Sequence, residues 1–374
     1  MGTHPSNPSV EHTSGRPLSR LLEHQPQLLS ASVVQRYGGA SLPSLFKVLS
    51  IRKALSIQAH PDKALAARLH ATDPKNYPDA NHKPEMAIAI TPFDGFCGFR
   101  PLAEIVAFLD AVEPLRRLVG EDAAAEFISA VRGKELSAEP ADMHANRAAL
   151  RKLYTKLMTA SHAAVESCSD ALIALAKAQP GTTLLPSRLL LRLDGQFPAD
   201  IGLFSTFMLN HVTLRPGEAI FLRANEPHAY LSGDIMECMA TSDNVVRAGF
   251  TPKFKDITTL VDMLTYSYSP PENQMLVPKP YPGTAHSLLY DPPIDEFSVL
   301  KTALVAPGET EVVPAIDGPS LLIVENGKGT VAVGPKNKQK AETGWVFFVG
   351  AGAEVEMQAE EGGFVVYRAF CEVN

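Results

Sequence analysis

A mainly β fold with an α-helical insertion is what this sequence predicts, on three observations. Short runs alternating in the strand period fill 44–57, the segment PEMAIAITPFDGFCGF and the stretch after Phe204, and a second strand series spans 297–373. Between the two, residues 100–202 carry helical periodicity instead. The two strand series also share a phrase: Leu214-Arg215-Pro216-Gly217-Glu218 recurs as Val305-Ala306-Pro307-Gly308-Glu309. We therefore expect a β-sandwich unit over 1–99 and 203–285, a helical domain over 100–202 inserted into it, and a second β unit over 286–374. A chain of 374 residues exceeds one ordinary core, in keeping with several domains.

Each element has its own signal. The opening stretch is rich in Ser, Pro and Gly and reads as loops with one short helix. SLFKVLSIRKALSI alternates as strands, and Pro61 opens a helix running to about Leu69. In PLAEIVAFLDAVEPLRRLVG, Leu102, Ile105, Val106 and Leu109 recur at i, i+3, i+4 and i+7, and Gly120 ends the helix. Ala-rich helices follow over 122–132 and 145–178, the latter stopped by Pro180 and Gly181. HVTLRPGEAIFLRANEPHAYLSGD returns to strands with Pro-Gly and Ser-Gly turns, and Asn326-Gly327 inside SLLIVENGKGTVAV signals a hairpin.

Composition removes several function classes. A net charge of −7 and a pI near 5.9 are not those of a general nucleic-acid binder. Cys97, Cys168, Cys238 and Cys371 form no CxxC pair, which fits a reducing cytosol better than a disulfide framework. No apolar run reaches about eighteen residues, and MGTHPSNPSVEHTSG has no apolar signal core. Small-molecule partners are expected, with no nucleic acid and no membrane.

Polar residues at strand spacing then point to chemistry. In SIQAHPDK the extended chain puts Ser56, Gln58 and His60 on one face. HKPE does the same for Lys83 and Glu85, and PHAY for His228 and Tyr230. Singly, each reads as a solvated side chain or a hydrogen-bonded core histidine. Together they are hard to dismiss, because a half-buried strand normally keeps its inward face apolar. Gln58, His60, Glu85 and His228 form a mixed nitrogen and oxygen set suited to zinc, manganese or iron, and such a site acts as a Lewis acid. The eleven histidines end at His286, so imidazole ligation belongs to the first unit. Downstream, EPHAYLSGDIMECMATSDNVVRAGFTPKFKD supplies Glu237, Asp243, Arg247, Lys253 and Lys255, the last read as a surface charge. Lys47, Lys83, Arg247 and Lys253 offer cationic donors to a phosphate. Neither GxxxxGK[ST] nor GxGxxG occurs, so a small phosphorylated substrate is favoured over a nucleotide.

SIQAHPDK, DANHKPEMAIAITPFDGFCGFRP and PHAYLSGDIMECMATSDNVVRAGFTPKFKD together resemble the type I mannose-6-phosphate isomerases, especially their fungal branch, and the likeness extends over the helical block and the β-rich tail. The resemblance implies a cupin-like jelly-roll catalytic domain, a helical domain and a second C-terminal jelly-roll. It also implies a monomeric, cytoplasmic zinc enzyme with one ion per chain. Such an enzyme interconverts mannose 6-phosphate and fructose 6-phosphate and feeds GDP-mannose synthesis for glycoproteins and cell-wall polymers. The implied zinc ligands are Gln58, His60, Glu85 and His228. Lys47 and Ser56 fall near the phosphate, with Lys253 a further substrate contact. His82, Lys83, Tyr230, Glu237 and Asp243 fall around the sugar, and Arg247 in the pocket.

Aldose–ketose conversion moves a proton between C2 and C1 through an enediol, so it needs a base, charge stabilisation and acid groups for ring opening. Zinc or Arg247 can stabilise the enediolate. Lys83, beside a metal and an arginine, is expected to be pushed towards the neutral form and so to act as base, with His82 or Asp243 opening the ring. The resemblance also implies roughly sixty family residues ahead of MGTHP, whose loss would leave sheet edges unpaired. The alternative reading is therefore a non-catalytic sugar-phosphate-binding jelly-roll protein.

Overall fold

The computed structural model describes residues 1–39, 41–179, 181–182, 184–334 and 337–373, so Pro180, read above as a helix stop, lies outside them. Eight strands build the first unit: β1 (Ser44–Ile51), β2 (Ile57–Ala59), β3 (Glu85–Ala89), β4 (Phe93–Phe99), β5 (Leu209–Leu214), β6 (Ala219–Leu222), β7 (His228–Ala240) and β8 (Val246–Gly249). The long strand β7 belongs to two layers. Its first part pairs with β4 and, at His228, with Gln58 of β2. Its second part pairs with β1 and β3.

Between the two parts lies Gly233, with φ +108°, where a Cβ would sit 2.6 Å from the Pro92 carbonyl oxygen. Only glycine fits so close a backbone approach at positive φ. The Ser-Gly pair expected as a turn is thus a kink within one strand, which folds the layers β5-β4-β7-β2-β8 and β1-β7-β3-β6 over each other. Their shared interior holds Ala87, Phe93, Val212, Ile220 and Ile235.

Both outer faces are covered. Phe96, Phe99, Leu231 and Val246 of the first layer pack on Leu203, Phe204 and Phe207 of the helical block. Phe46, Met86, Ile88 and Met236 of the second pack on Leu18, Leu22 and Val33, and on Val299, Leu321, Ile323 and Tyr367 of the second unit. The N-terminal stretch holds more helix than expected, over Leu18–His24 and Ala31–Tyr37, with a 3₁₀ turn at Pro26–Leu29. On the outer side of β1, Met1 and Phe46 exchange backbone hydrogen bonds of 2.7 and 3.0 Å.

In the helical block, two expected helices are each divided. The first becomes Leu102–Ala111 and Glu113–Val119, because Pro114 has no N–H for Asp110 and is tolerated only in the first turn of a new helix. The long one becomes Pro140–Met158 and His162–Ala178, with the Ser161 side chain accepting from the Ala164 N–H as an N-cap.

The second unit is a sandwich of ten strands: β9 (Lys279–Pro280), β10 (Ser287–Tyr290), β11 (Ser298–Leu304), β12 (Thr310–Ile316), β13 (Ser320–Asn326), β14 (Lys328–Ala332), β15 (Lys338–Glu342), β16 (Val346–Val349), β17 (Ala353–Ala359) and β18 (Phe364–Phe370). A layer β16-β13-β18-β11-β10-β9 faces a layer β12-β17-β14-β15 across Leu300, Leu322, Val331, Val355 and Val366. Asn326-Gly327 is not a hairpin. It joins β13 in one layer to β14 in the other, and Gly327, at φ +83°, turns the corner where a Cβ would meet the Gly363 carbonyl oxygen at 2.8 Å.

The repeated Pro-Gly-Glu phrase is one turn built twice. In both copies glycine takes positive φ, +89° at Gly217 and +81° at Gly308, after a proline, the pattern of a type II turn. The glutamate closes each turn in the same way: Glu218 Oε2 accepts from Arg215 N at 2.8 Å, and Glu309 Oε2 from Ala306 N at 3.1 Å.

Candidate metal centre

Three strands of the first unit bring the ligand candidates together. His60 follows β2, Glu85 opens β3 and His228 opens β7, and one ligand atom from each lies within 4.8 Å of the others. His60 Nε2 is 3.3 Å from Glu85 Oε1, and His228 Nε2 is 3.4 Å from Glu85 Oε2. All three residues are 1% exposed.

The imidazoles are oriented from behind. His60 Nδ1 donates to the Asn244 carbonyl at 2.7 Å, and His228 Nδ1 to the Glu226 carbonyl at 3.2 Å. Both Nε2 lone pairs are thereby left facing the centre, and neither Nε2 has a hydrogen-bond partner. Buried polar atoms without partners are costly, and a divalent cation satisfies both at once. Burial, reinforced by Lys83, pushes the His60 pKa down to about 4, which keeps the ring neutral as a ligand must be. Burial opposes the Glu85 charge, but Lys83 and His60 hold its carboxyl well below the usual range. The donor set therefore fits a cation. Gln58 stands beside it, paired in register with both His228 and Arg247, and accepts a 3.5 Å hydrogen bond from Ser56.

The remaining candidates fall into three groups. Inside the sandwich, Tyr230 donates to Glu85 at 3.3 Å, and Lys47 Nζ lies 2.8 Å from Glu237 Oε2, its register partner across β1 and β7. Burial, then Glu85 and Glu237, pushes the Tyr230 hydroxyl well above its ordinary pKa. In the segment that leads into β3, Lys83 Nζ is 3.1 Å from Glu85 and His82 Nε2 is 2.6 Å from Glu296. Arg247 lies alongside Gln58 on β8. Outside, Asp243 is 58% exposed and pairs with His4 at 3.1 Å, and Lys253 is exposed on the loop after β8.

Among its own side chains the Lys83 pKa is raised, since burial works against the charge but Glu85 and Glu237 outweigh it.

Sequence reasoning missed Asn244 and Glu226, which act through backbone carbonyls and leave no mark in residue type. It also missed Lys63 and Glu296. Lys63 stands in the quoted HPDK, but Glu296 is 214 positions from its partner His82, beyond any local pattern.

Fold and site define a two-sandwich protein with a helical insertion and a buried two-histidine, one-carboxylate metal centre in its first sandwich. The chain belongs to the type I phosphomannose isomerase family: the catalytic domain of that family matches residues 1–102, its helical insertion domain 118–209 and its C-terminal domain 287–336. It is 53% identical over 399 residues to the mannose-6-phosphate isomerase of Aspergillus fumigatus, covering 100% of this chain and 87% of the relative. The Saccharomyces cerevisiae mannose-6-phosphate isomerase is 47% identical, with 100% and 89% covered. Among solved structures, a mutant phosphomannose isomerase from Salmonella typhimurium superposes with a TM-score of 0.84 at 29% identity, covering 100% of this chain and 90% of that one. A zinc-bound mannose 6-phosphate isomerase superposes at 0.83, with the same identity and coverage.

Proposed function

We propose that this chain is a zinc-dependent aldose–ketose isomerase that interconverts mannose 6-phosphate and fructose 6-phosphate, acting as a monomer in the cytoplasm. The observation that carries the reading is the buried His60–Glu85–His228 centre with both Nε2 atoms unpartnered. Similarity to named isomerases over the whole chain favours turnover above a purely sugar-phosphate-binding role.

His60, Glu85 and His228 would hold the zinc, with Gln58 as a neutral fourth ligand. Bound there, the metal supplies Lewis acidity to an oxygen of the substrate. The chain's own groups do the rest. Lys47, Ser56 and Lys253 receive the phosphate, and Tyr230 orients the sugar. Arg247 stabilises the enediolate as its charge develops, and the Lys83 ammonium adds to that field. Glu237, a buried carboxylate inside the first sandwich, carries the proton between C2 and C1. For ring opening, His82, or Asp243 if substrate draws it in from its contact with His4, takes the proton of the anomeric hydroxyl and returns it to the ring oxygen as the C–O bond breaks. The division into a catalytic unit of 1–99 with 203–285, a helical unit of 100–202 and a C-terminal unit of 286–374 is part of this proposal, with β9 crossing the last boundary to pair with β10 of the C-terminal sheet. Among the described residues the helical segment supplies no member of the metal cluster, which supports it.

A coupled assay for fructose 6-phosphate, fed mannose 6-phosphate, tests the reading. Turnover should disappear on chelation and return with zinc. Zinc-loaded, folded protein that produces no fructose 6-phosphate would overturn it.

A further inference from the structure

Among the described residues the second sandwich contributes nothing to the metal cluster, yet one of its side chains reaches His82, three residues ahead of Glu85. Glu296 stands in the segment between β10 and β11 and is 4% exposed. Its Oε1 accepts from His82 Nε2 at 2.6 Å and from Lys63 Nζ at 3.0 Å. Burial opposes the Glu296 charge, but the His82 and Lys63 bonds hold its pKa at about 2, so it is a carboxylate at any working pH. An ionised carboxylate only accepts hydrogen bonds, so the proton in this contact must sit on His82 Nε2. That leaves Nδ1, which has no hydrogen-bond partner among the described residues, as the basic atom of the neutral ring. The backbone beneath is fixed separately: the Asn81 carbonyl accepts from Ser242 Oγ at 3.1 Å and from Asn244 Nδ2 at 2.9 Å. Asn244 is also the residue whose own carbonyl holds His60. The first unit thus sets where His82 sits, and the second unit sets which of its nitrogens carries the proton.

We propose that Glu296 is a positioning residue for the isomerase reaction, through which the second sandwich fixes the tautomer and orientation of His82, three residues ahead of the ligand Glu85. The proposal rests on the functional reading above. The second unit is then a part of the active site and not only a cover for the first.

Two variants test it: Glu296→Leu, which removes the acceptor at similar volume, and Glu296→Gln, whose amide oxygen can accept the same N–H. Glu296→Leu should lower kcat about tenfold or more, as loss of a group that orients an imidazole does, with KM changing less than about twofold. Glu296→Gln should recover most of the loss. In a His82→Asn background, Glu296→Leu should lower kcat no further, since the two act as one unit. Equal losses in both backgrounds, or an unchanged kcat in Glu296→Leu, would overturn the proposal, as would a loss explained wholly by lower zinc content or melting temperature. Imidazole ¹⁵N spectra separate this from the functional reading. Even if the parent protein shows no isomerase turnover, which would defeat that reading alone, its His82 must appear as the Nε2-protonated tautomer and change in Glu296→Leu. A parent His82 protonated on Nδ1 would refute the positioning role outright.

Discussion

The two sandwiches share layered strands, and even the same Pro-Gly-Glu turn, yet their interiors differ in kind. The second is filled by Leu300, Leu322, Val331, Val355, Met357 and Val366, as a sandwich core ordinarily is, with the buried Arg368 donating to Ser320 Oγ among them. The first keeps apolar residues at one end, around Phe93, Val212 and Ile220, and gives the other to Lys47, Glu85, Tyr230, Glu237 and the two histidines. Architecture alone therefore does not make a site. The first unit tolerates interior charge because each charged group has a partner: Lys47 with Glu237, and Lys83 with Glu85. Within the metal triad the two Nε2 atoms are left without hydrogen-bond partners, and they mark where a cation fits.

If that contrast is right, His60→Ala should have the largest effect, abolishing metal retention and lowering turnover by about 10³-fold or more, some 4 kcal/mol of barrier. Metal analysis beside the coupled assay checks both. Arg247→Ala keeps the ligand set and should lower kcat by about 10² with little change in KM, by analogy with removing a single oxyanion donor. A normal kcat with strongly raised KM would move Arg247 from chemistry to substrate anchoring. In the second sandwich, Leu322→Ala should cost about 2 to 5 kcal/mol of stability in urea unfolding while metal content and kcat of the folded protein stay unchanged. A comparable loss of kcat would mean that the second core also tunes the chemistry.

The smallest effect concerns Asp94, on the outer, helix-covered side of the first sandwich. Its carboxyl accepts from Arg192, Ser232 and, at 2.9 Å, His211; burial opposes its charge, but these bonds bring its pKa down to about 2. A depressed folded pKa means stability that is complete above the unfolded value of about 4 and is lost as pH falls through the folded one. Stability of the parent should fall between about pH 4 and pH 2, and Asp94→Asn should be less stable at neutral pH and flatter across that window. An identical acid slope in Asp94→Asn would remove Asp94 from the account.

The metal site was legible because strand geometry writes it into the sequence. A period of two puts Gln58 with His60 and His228 with Tyr230, and an inward polar run conflicts with a normal core. The β-rich halves and the helical block were legible from their periods. What was lost is what local pattern cannot carry. Asn326-Gly327 is a hairpin signal whichever strands it joins, and here β14 leaves for the other layer. The Ser-Gly of β7 looks like a turn until Pro92 is seen pressed against Gly233. Pro114 and Ser161 did carry local signals, a first-turn proline and an N-cap, which the apolar repeat around them obscured. The upward pull of Glu237 on the Lys83 pKa was not legible, because the two residues are far apart in the sequence. Glu296 could be found only from the fold.

The central claim is one cation centre, in the first sandwich alone. Metal content of the purified protein, measured for the parent and for a variant carrying both His60→Ala and His228→Ala, tests it most directly. The account predicts one zinc per chain in the parent and none in the variant, with the folded state of both confirmed by their unfolding transitions. A parent stoichiometry near two, or zinc retained by the double variant, would contradict it.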